Sequence, residues 1–240
     1  MIGSGAAWCR PYPGAMQPGR GAFGPVAIAW CDAVSGPPAS ADVLRRLGEP
    51  QLRRYAALSG EKAQRFLAGR SLLAGLIDEF TDAVDLGFTT TCERCGAEHG
   101  RPRLERAPVA VSISYAGSIV AVAAAALADA AGVGVDIERE PVGGGSRRLS
   151  ELAALFAPSP APDIEGWTLL EAALKADGRG VHVNPAAVRV GAVGSGRLPG
   201  ARAVQIPGRH DSVDAAILAG PAGFVLTAAA APVAPVSRSA

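Results

Sequence analysis

The amino-acid sequence predicts an α+β fold in which two helical segments are each followed by a run of strands. Residues 61–82 carry apolar side chains at helical spacing, and three strand-like runs follow them between residues 109 and 137. A second helical pattern, residues 167–176, is again followed by strand-like runs, from residue 188 to residue 229. No residue-level repeat accompanies this repeated order of elements.

Composition limits the classes of function. The chain has 240 residues, 49 % of them hydrophobic, which is enough for a sizeable core, and a formal net charge of only +1. No N-terminal signal pattern or apolar run of spanning length is present, and the four cysteines do not follow a secreted disulfide pattern. We therefore expect a cytoplasmic protein that binds neither nucleic acid nor membrane.

The chain divides by composition into four segments. Residues 1–24 are rich in glycine and proline and predict a disordered or loosely attached arm, and the last ten residues, 231–240, predict a disordered tail. Between them we expect an N-terminal half, residues 25–139, and a C-terminal half, residues 140–230. The N-terminal half should open with a strand and a helix that a glycine and a proline interrupt.

A loop predicted for residues 87–103 carries Cys92, Cys95 and His99 close together. This spacing is compatible with zinc, but a closed structural zinc site needs four ligands and only three are near each other. A pair of reduced cysteines in a loop is therefore the favoured interpretation, and zinc is the alternative. A small zinc-stabilised interaction protein is the corresponding alternative for function.

Residues 109–114, 119–127 and 133–137 predict a meander of three strands, the last two forming a hairpin. Side chains alternate along a strand, so Asp136 and Glu138 should share one face while Val135 and Ile137 point into the core. Two carboxylates on one face of an apolar strand are costly unless a cation binds them. Mg²⁺ is the leading candidate because it prefers oxygen ligands.

The helix of residues 167–176, closed by Gly178, places Glu171 and Lys175 four positions apart on one face. Lys62 is the only other lysine in this arginine-rich chain, and lysine, unlike arginine, can release its proton. A third carboxylate and a lysine beside the Asp-x-Glu strand would form a site for a metal-bound phosphate ester. The alternative interpretation is that the two strand carboxylates face solvent. Glu171 and Lys175 would then form an ordinary surface ion pair, which contributes about 0.3–0.5 kcal/mol to stability.

Five short motifs occur in a fixed order along the chain: Gly100-Arg101-Pro102, Ser112–Gly117, Val133–Glu138, Trp167–Lys175 and Gly178-Arg179-Gly180. In this order, the motifs resemble the Sfp-type 4′-phosphopantetheinyl transferases over roughly residues 60–195. The resemblance implies two similar α/β halves forming a pseudo-dimer with the active site between them. It also implies Mg²⁺-dependent transfer of the phosphopantetheine arm of coenzyme A to a serine of an acyl or peptidyl carrier protein, releasing 3′,5′-ADP. Secondary metabolism is the expected setting, and a monomer the expected state.

The resemblance assigns the catalytic and metal-binding roles to the strand and the second helix. It implies that Asp136, Glu138 and Glu171 hold Mg²⁺ on the pyrophosphate of coenzyme A. Lys175 would stabilise or protonate the leaving oxygen. Glu171, or a water that it holds, would accept the proton of the incoming serine.

On the coenzyme side, the resemblance assigns nucleotide contacts to five residues of the N-terminal half. Arg101 matches the basic residue of the family's Gly-Lys-Pro or Gly-Arg-Pro turn, and Ser114 matches the first serine of its Ser-His-Ser segment. Tyr115 stands where the family has the histidine that donates to a coenzyme phosphate. Arg70 and Ser71 on the long helix match positions that approach the nucleotide.

Three departures from the family pattern weaken the expected hold on the coenzyme. Tyr115 carries no charge near neutral pH, Leu170 replaces the usual lysine before the helix glutamate, and the link before Trp167 is short. The alternative function is therefore a repurposed or non-catalytic homologue that binds coenzyme A or a related nucleotide and acts on a different substrate or partner.

Overall fold

The computed structural model describes residues 18–35, 40–92, 95–141 and 147–234, which form an α+β fold. No helix in these ranges is both long enough and apolar enough to cross a membrane. The α-helices are α1 (Asp42–Leu47), α2 (Glu49–Ala56), α3 (Gly60–Ile77), α4 (Arg147–Phe156) and α5 (Ile164–Asp177). The strands are β1 (Gly19–Phe23), β2 (Val26–Asp32), β3 (Phe88–Thr89), β4 (Arg103–Leu104), β5 (Val109–Ala116), β6 (Ile119–Ala126), β7 (Gly132–Arg139), β8 (Arg189–Val190), β9 (Arg202–Gln205), β10 (Val213–Leu218) and β11 (Phe224–Ala231).

The first sheet is antiparallel, with the strand order β1-β2-β6-β5. Its edge strand β1 lies within the predicted N-terminal arm, because Gly19–Phe23 pairs with β2 along its whole length. Residues 1–17, the rest of that arm, lie outside the described residues. The glycine and proline predicted to interrupt the first helix do so, since Gly48 separates α1 from α2 and the proline lies in the first turn of α2.

The second sheet has the order β7-β11-β10-β9-β8, so the predicted hairpin between β6 and β7 is wrong. The reason is that β6 already pairs with β2 on one side and with β5 on the other. With both edges of β6 in use, the chain turns away and β7 pairs with β11 instead. Residues 132–139, which the sequence analysis placed at the end of the N-terminal half, therefore form the edge of the second sheet.

The two sheets and two helices pack as four layers, in the order α3, first sheet, second sheet, α5. The layer between the sheets consists largely of alanine from β5, β6 and β11, together with the inward face of β7. Val135 and Ile137 belong to this layer and are almost fully buried, as the alternation of the sequence predicted. The opposite face of β7, which carries Asp136, is covered by α5 rather than exposed.

Helix α5 begins and ends where its sequence dictates. The Asp163 carboxylate accepts a hydrogen bond from the N–H of Gly166 as an N-cap, and Gly178 closes the helix in a left-handed conformation with φ of 87°. Helix and strand approach closely because Gly132 and Gly134 lack side chains. A Cβ on Gly134 would lie 1.8 Å from the carbonyl oxygen of Ala172, and one on Gly132 would lie 2.3 Å from that of Ala176. These contacts also show that α5 runs antiparallel to β7.

Candidate active site

The edges of the two sheets are joined by serine side chains of β5. The Ser112 hydroxyl accepts a hydrogen bond from the N–H of Val135 at 3.1 Å, and the Ser114 hydroxyl accepts one from the N–H of Ile137 at 3.4 Å. In both hydrogen bonds the donor residue lies 23 positions after the acceptor residue, so β5 and β7 run parallel here. Ser114 is thereby fixed beside Asp136, at the junction of the two sheets.

Lys175 from α5 completes a buried polar cluster with Asp136 and Ser114. Its ammonium nitrogen lies 2.6 Å from Oδ1 of Asp136 and 3.1 Å from the Ser114 hydroxyl oxygen, and it also donates to the Val135 carbonyl at 3.1 Å. The Ser114 hydroxyl donates to the same Oδ1 at 2.8 Å. Charge-assisted bonds of this kind compensate the desolvation of the carboxylate, since Asp136 is only 4 % exposed.

The second oxygen of Asp136, Oδ2, is buried and has no hydrogen-bond partner among the described residues. A buried carboxylate oxygen without a donor is unfavourable, and a hard cation such as Mg²⁺ would satisfy it. Asp136 therefore fits the metal-binding role predicted for it, through the oxygen that Lys175 leaves open.

The other two predicted metal ligands lie on the adjoining positions of the strand and the helix. Glu138 follows Asp136 on the same face of β7, and Glu171 lies one turn before Lys175 on α5. Because α5 is antiparallel to β7, this turn lies toward the Glu138 end of the strand. Among the described residues, Asp136, Glu138 and Glu171 do not form a group whose carboxylate oxygens all lie within 4.8 Å of one another. The three-carboxylate metal site stays a prediction.

A cleft of about 650 Å³ opens beside this cluster, between β5, the residue 91–103 loop and the C-terminal end of α5. Its lining is strongly cationic. Among the described lining residues, the only carboxylate belongs to Asp177, whose side chain is 2 % exposed and already paired with two arginines. An anionic ligand suits such a cleft electrostatically. The cationic side chains of the lining are Arg101, Arg103, Lys175 and Arg179, and two histidines, His99 and His182, also line the cleft.

Arg101, predicted to contact the nucleotide, lines the cleft next to the C-terminal end of α5. Its guanidinium donates to the carbonyl of Ala131 at 3.3 Å and lies against Gly132 and Gly178, where side chains would collide with it. The preceding Gly100 is equally constrained, since a Cβ there would lie 2.7 Å from the backbone oxygen of Thr91. The Gly-Arg turn therefore needs its glycine for the loop to close.

Asp177 anchors the arginines at the end of α5. Arg179 donates to both of its oxygens, at 2.7 and 3.1 Å, and Arg209 donates to Oδ1 at 3.1 Å. Burial alone would raise the pKa of Asp177, but the hydrogen bonds from the two arginines outweigh it and hold the pKa below its ordinary value. The ion pair fixes Arg179 at the cleft.

Arg70 and Tyr115, predicted to bind the coenzyme, meet each other on the α3 side of β5 rather than in the cleft. Arg70 is 5 % exposed, donates to the Gln51 side chain at 2.8 Å and to the Tyr115 hydroxyl at 3.4 Å, and stacks over Phe66 and Phe88. Burial lowers the pKa of Arg70 and raises that of Tyr115.

Ser71, the third coenzyme-binding residue predicted on this side, has a buried hydroxyl that finds no hydrogen-bond partner among the described residues. The described lining of the cleft includes none of the three residues Arg70, Ser71 and Tyr115. Their predicted contacts with the nucleotide stay predictions.

Sequence reasoning missed three contributors to the cleft. Arg103 lines the cleft because β4 begins directly after the Gly-Arg-Pro turn. Arg179 lines it because its ion pair with Asp177 holds its side chain there. His182 also lines it. The flanking glycines of Arg179 were a signal for a tight turn after α5, whereas nothing local indicated where His182 lies.

Comparison of the sequence with protein-family models found no match, and no curated protein is significantly similar to it.

Proposed function

We propose that this chain is an Mg²⁺-dependent phosphopantetheinyl transferase, which moves the 4′-phosphopantetheine arm of coenzyme A to a serine of an apo carrier protein. The observation that carries the proposal is the position of a cationic cleft directly beside a buried aspartate with one unsatisfied oxygen. Coenzyme A is a polyanion with a pyrophosphate and a 3′-phosphate. Its transfer reaction needs both cationic groups and a metal-binding carboxylate.

The topology of the two sheets supports the pseudo-dimer that belongs to this proposal. In the first half, β2, α3, β5 and β6 follow one another along the chain, and the strands lie in the order β2-β6-β5. In the second half, β7, α5, β10 and β11 include the same succession of strand, helix and hairpin, and lie in the order β7-β11-β10. Each helix covers the outer face of its own sheet, so the halves share one architecture.

In the proposed mechanism, Asp136, Glu138 and Glu171 would hold Mg²⁺, and the ion would supply charge stabilisation to the transfer reaction. The arginines of the cleft hold the anionic groups of the coenzyme and orient its pyrophosphate toward Lys175. Glu171, or a water that it holds, takes the proton of the carrier serine as the serine oxygen forms its bond to the β-phosphorus. Lys175 stabilises or protonates the departing oxygen of 3′,5′-ADP as the pyrophosphate bond breaks.

The test is incubation with coenzyme A, Mg²⁺ and several apo carrier proteins, followed by intact-mass measurement of the carrier. The arm's mass should appear on the carrier. Glu171→Ala should lower kcat about 10²–10⁴-fold, and Lys175→Ala should act mainly on kcat. Matched controls are Glu165→Ala, on the exposed first turn of the same helix, and Lys62→Ala, the only other lysine, and both should transfer normally. No mass gain on any carrier that a known transferase modifies would refute the proposal.

A second candidate function is a repurposed homologue that binds coenzyme A or a related nucleotide without this transfer. The position of Tyr115 favours it, because its hydroxyl is engaged by Arg70 on the α3 side of β5. Calorimetry that finds coenzyme A binding in a protein without transferase activity would support this candidate. Tyr115→His is the informative variant, because it restores the histidine that the family has at this position. Leu170→Lys would instead bury an ammonium, since Leu170 is 4 % exposed in the core beneath α5.

A further inference from the structure

The Cys92, Cys95 and His99 side chains converge in the loop between β3 and β4. Their ligand atoms all lie within 4.8 Å of one another, and Sγ of Cys95 is 3.0 Å from Nε2 of His99. In a tetrahedral zinc site, sulfur and nitrogen ligands are roughly 3.5–3.8 Å apart. The three side chains are therefore already close to the separation that one zinc ion requires.

The backbone of this loop holds the ligands on one side of a tight turn. The carbonyl of Cys92 accepts a hydrogen bond from the N–H of Gly96 at 2.8 Å, and the Cys92 N–H donates to Ala97 at 2.8 Å. Gly96, directly after the second cysteine, has a φ of 73°, which side-chain-bearing residues rarely adopt. The Cys-x-x-Cys-Gly sequence therefore has a conformational reason for its glycine.

We propose that Cys92, Cys95 and His99 bind one Zn²⁺ ion whose fourth position, open to the cleft, is taken by a solvent molecule. Two thiolates and an imidazole are donors that select zinc over Mg²⁺, and two thiolates neutralise its charge. None of the described cysteines is in a disulfide. Cys92 and His99 line the cleft, which gives solvent access to the fourth position.

The site has a structural role because the hairpin that carries it is short. Strands β3 and β4 pair through only two residues each, Phe88 with Leu104 and Thr89 with Arg103. A hairpin of this length is not stable by itself. Metal binding at its tip orders the loop, and this loop positions Arg101 and Arg103 at the cleft. The zinc site thus supports the cationic lining without taking part in transfer.

Metal analysis of the untagged protein, purified under reducing conditions and equilibrated with Zn²⁺, tests the proposal. The wild type should retain about one zinc per chain after gel filtration, and Cys92→Ser, Cys95→Ser and His99→Ala should each lose most of it. Cys31→Ser, outside the loop, is the matched control and should retain the metal. A wild type that holds no zinc, or a Cys92→Ser/Cys95→Ser double variant that keeps it, overturns the proposal. A metal-free Cys92–Cys95 disulfide under these reducing conditions overturns it too.

Two measurements on the wild type do not depend on the variants folding. Co²⁺ in place of zinc should give the thiolate charge-transfer and ligand-field absorption of a tetrahedral site, and its absence would contradict the proposal. Hydrogen exchange of residues 88–104 should slow on zinc addition, whereas exchange of residues 202–218 should not change. Neither measurement uses transferase activity, so failure of the zinc site and failure of the proposed function are distinguishable.

Discussion

The ammonium nitrogen of Lys175 lies 2.6 Å from Oδ1 of Asp136, although the two residues are 39 positions apart in the chain. One comes from the last turn of α5 and the other from the edge strand β7. The Asp136 side chain is 6 % exposed and that of Lys175 is 29 % exposed, so the pair is largely removed from water. The contact fixes where α5 sits on the second sheet.

Replacing one partner of this pair should lower the free energy of unfolding more than replacing both partners. Lys175→Met leaves a buried carboxylate without its counter-ion, and we expect the free energy of unfolding to fall by about 2–3 kcal/mol. Asp136→Asn combined with Lys175→Met should recover most of that loss. A double-mutant cycle in urea measures the coupling. If the effects of the two single substitutions on the free energy of unfolding simply add, the interaction between Lys175 and Asp136 contributes nothing to stability.

Gly134→Ala should displace α5 from β7. The added Cβ would lie 1.8 Å from the carbonyl oxygen of Ala172, which is backbone and cannot rotate away. We expect a loss of about 3 kcal/mol in the free energy of unfolding, measured by chemical denaturation. Gly21→Ala is the matched control. It is also a strand glycine, but its Cβ would meet Trp30 at an ordinary 3.5 Å, so the change should stay within about 0.5 kcal/mol.

Ser112→Ala should weaken the junction between the sheets at one identifiable amide. The Ser112 hydroxyl accepts the hydrogen bond of the buried Val135 N–H, and its loss leaves that donor unsatisfied, at a cost of about 1–3 kcal/mol. Hydrogen exchange by NMR should show faster exchange at Val135. The amide of Leu226, on β11 opposite Leu218 of β10, serves as the internal reference. Equal acceleration at both amides would indicate global destabilisation instead.

Asp177→Asn should make stability less sensitive to acid. The bonds from Arg179 and Arg209 depress the folded-state pKa of Asp177 below its unfolded value. A depressed carboxyl pKa stabilises the fold above the unfolded value of about 4, and the stabilisation disappears as pH falls through the folded-state value. The variant should therefore be less stable than wild type at pH 7, with a difference that shrinks below about pH 4. Urea titrations from pH 7 to pH 3 measure it, and a constant difference would contradict the assignment.

Local patterns were sufficient for much of the fold. The two long helices, the end of α5 at Gly178 and the inward face of β7 follow from periodicity and capping. The pairing of β7 did not follow, because it depends on whether β6 still has a free edge, which only the whole sheet decides. Pairing of distant strands is set by tertiary context rather than by propensity.

The site shows the same division between local and distant information. Strand alternation indicated that Asp136 and Glu138 share a face, and helical spacing placed Glu171 beside Lys175. That Lys175 contacts Asp136 depends on the packing of α5, which the two glycines of β7 permit. The burial of Arg70 could not be predicted either, since its partners Phe88 and Gln51 come from separate elements.

The alanine layer between the sheets has a mechanical consequence. Alanine has no side-chain rotamers, so the nine alanines among the seventeen buried residues of this layer cannot repack by rotating their side chains. The separation of the two sheets is therefore less easily changed by side-chain rearrangement than the position of the hairpin of β3 and β4, which pairs through only two residues on each strand.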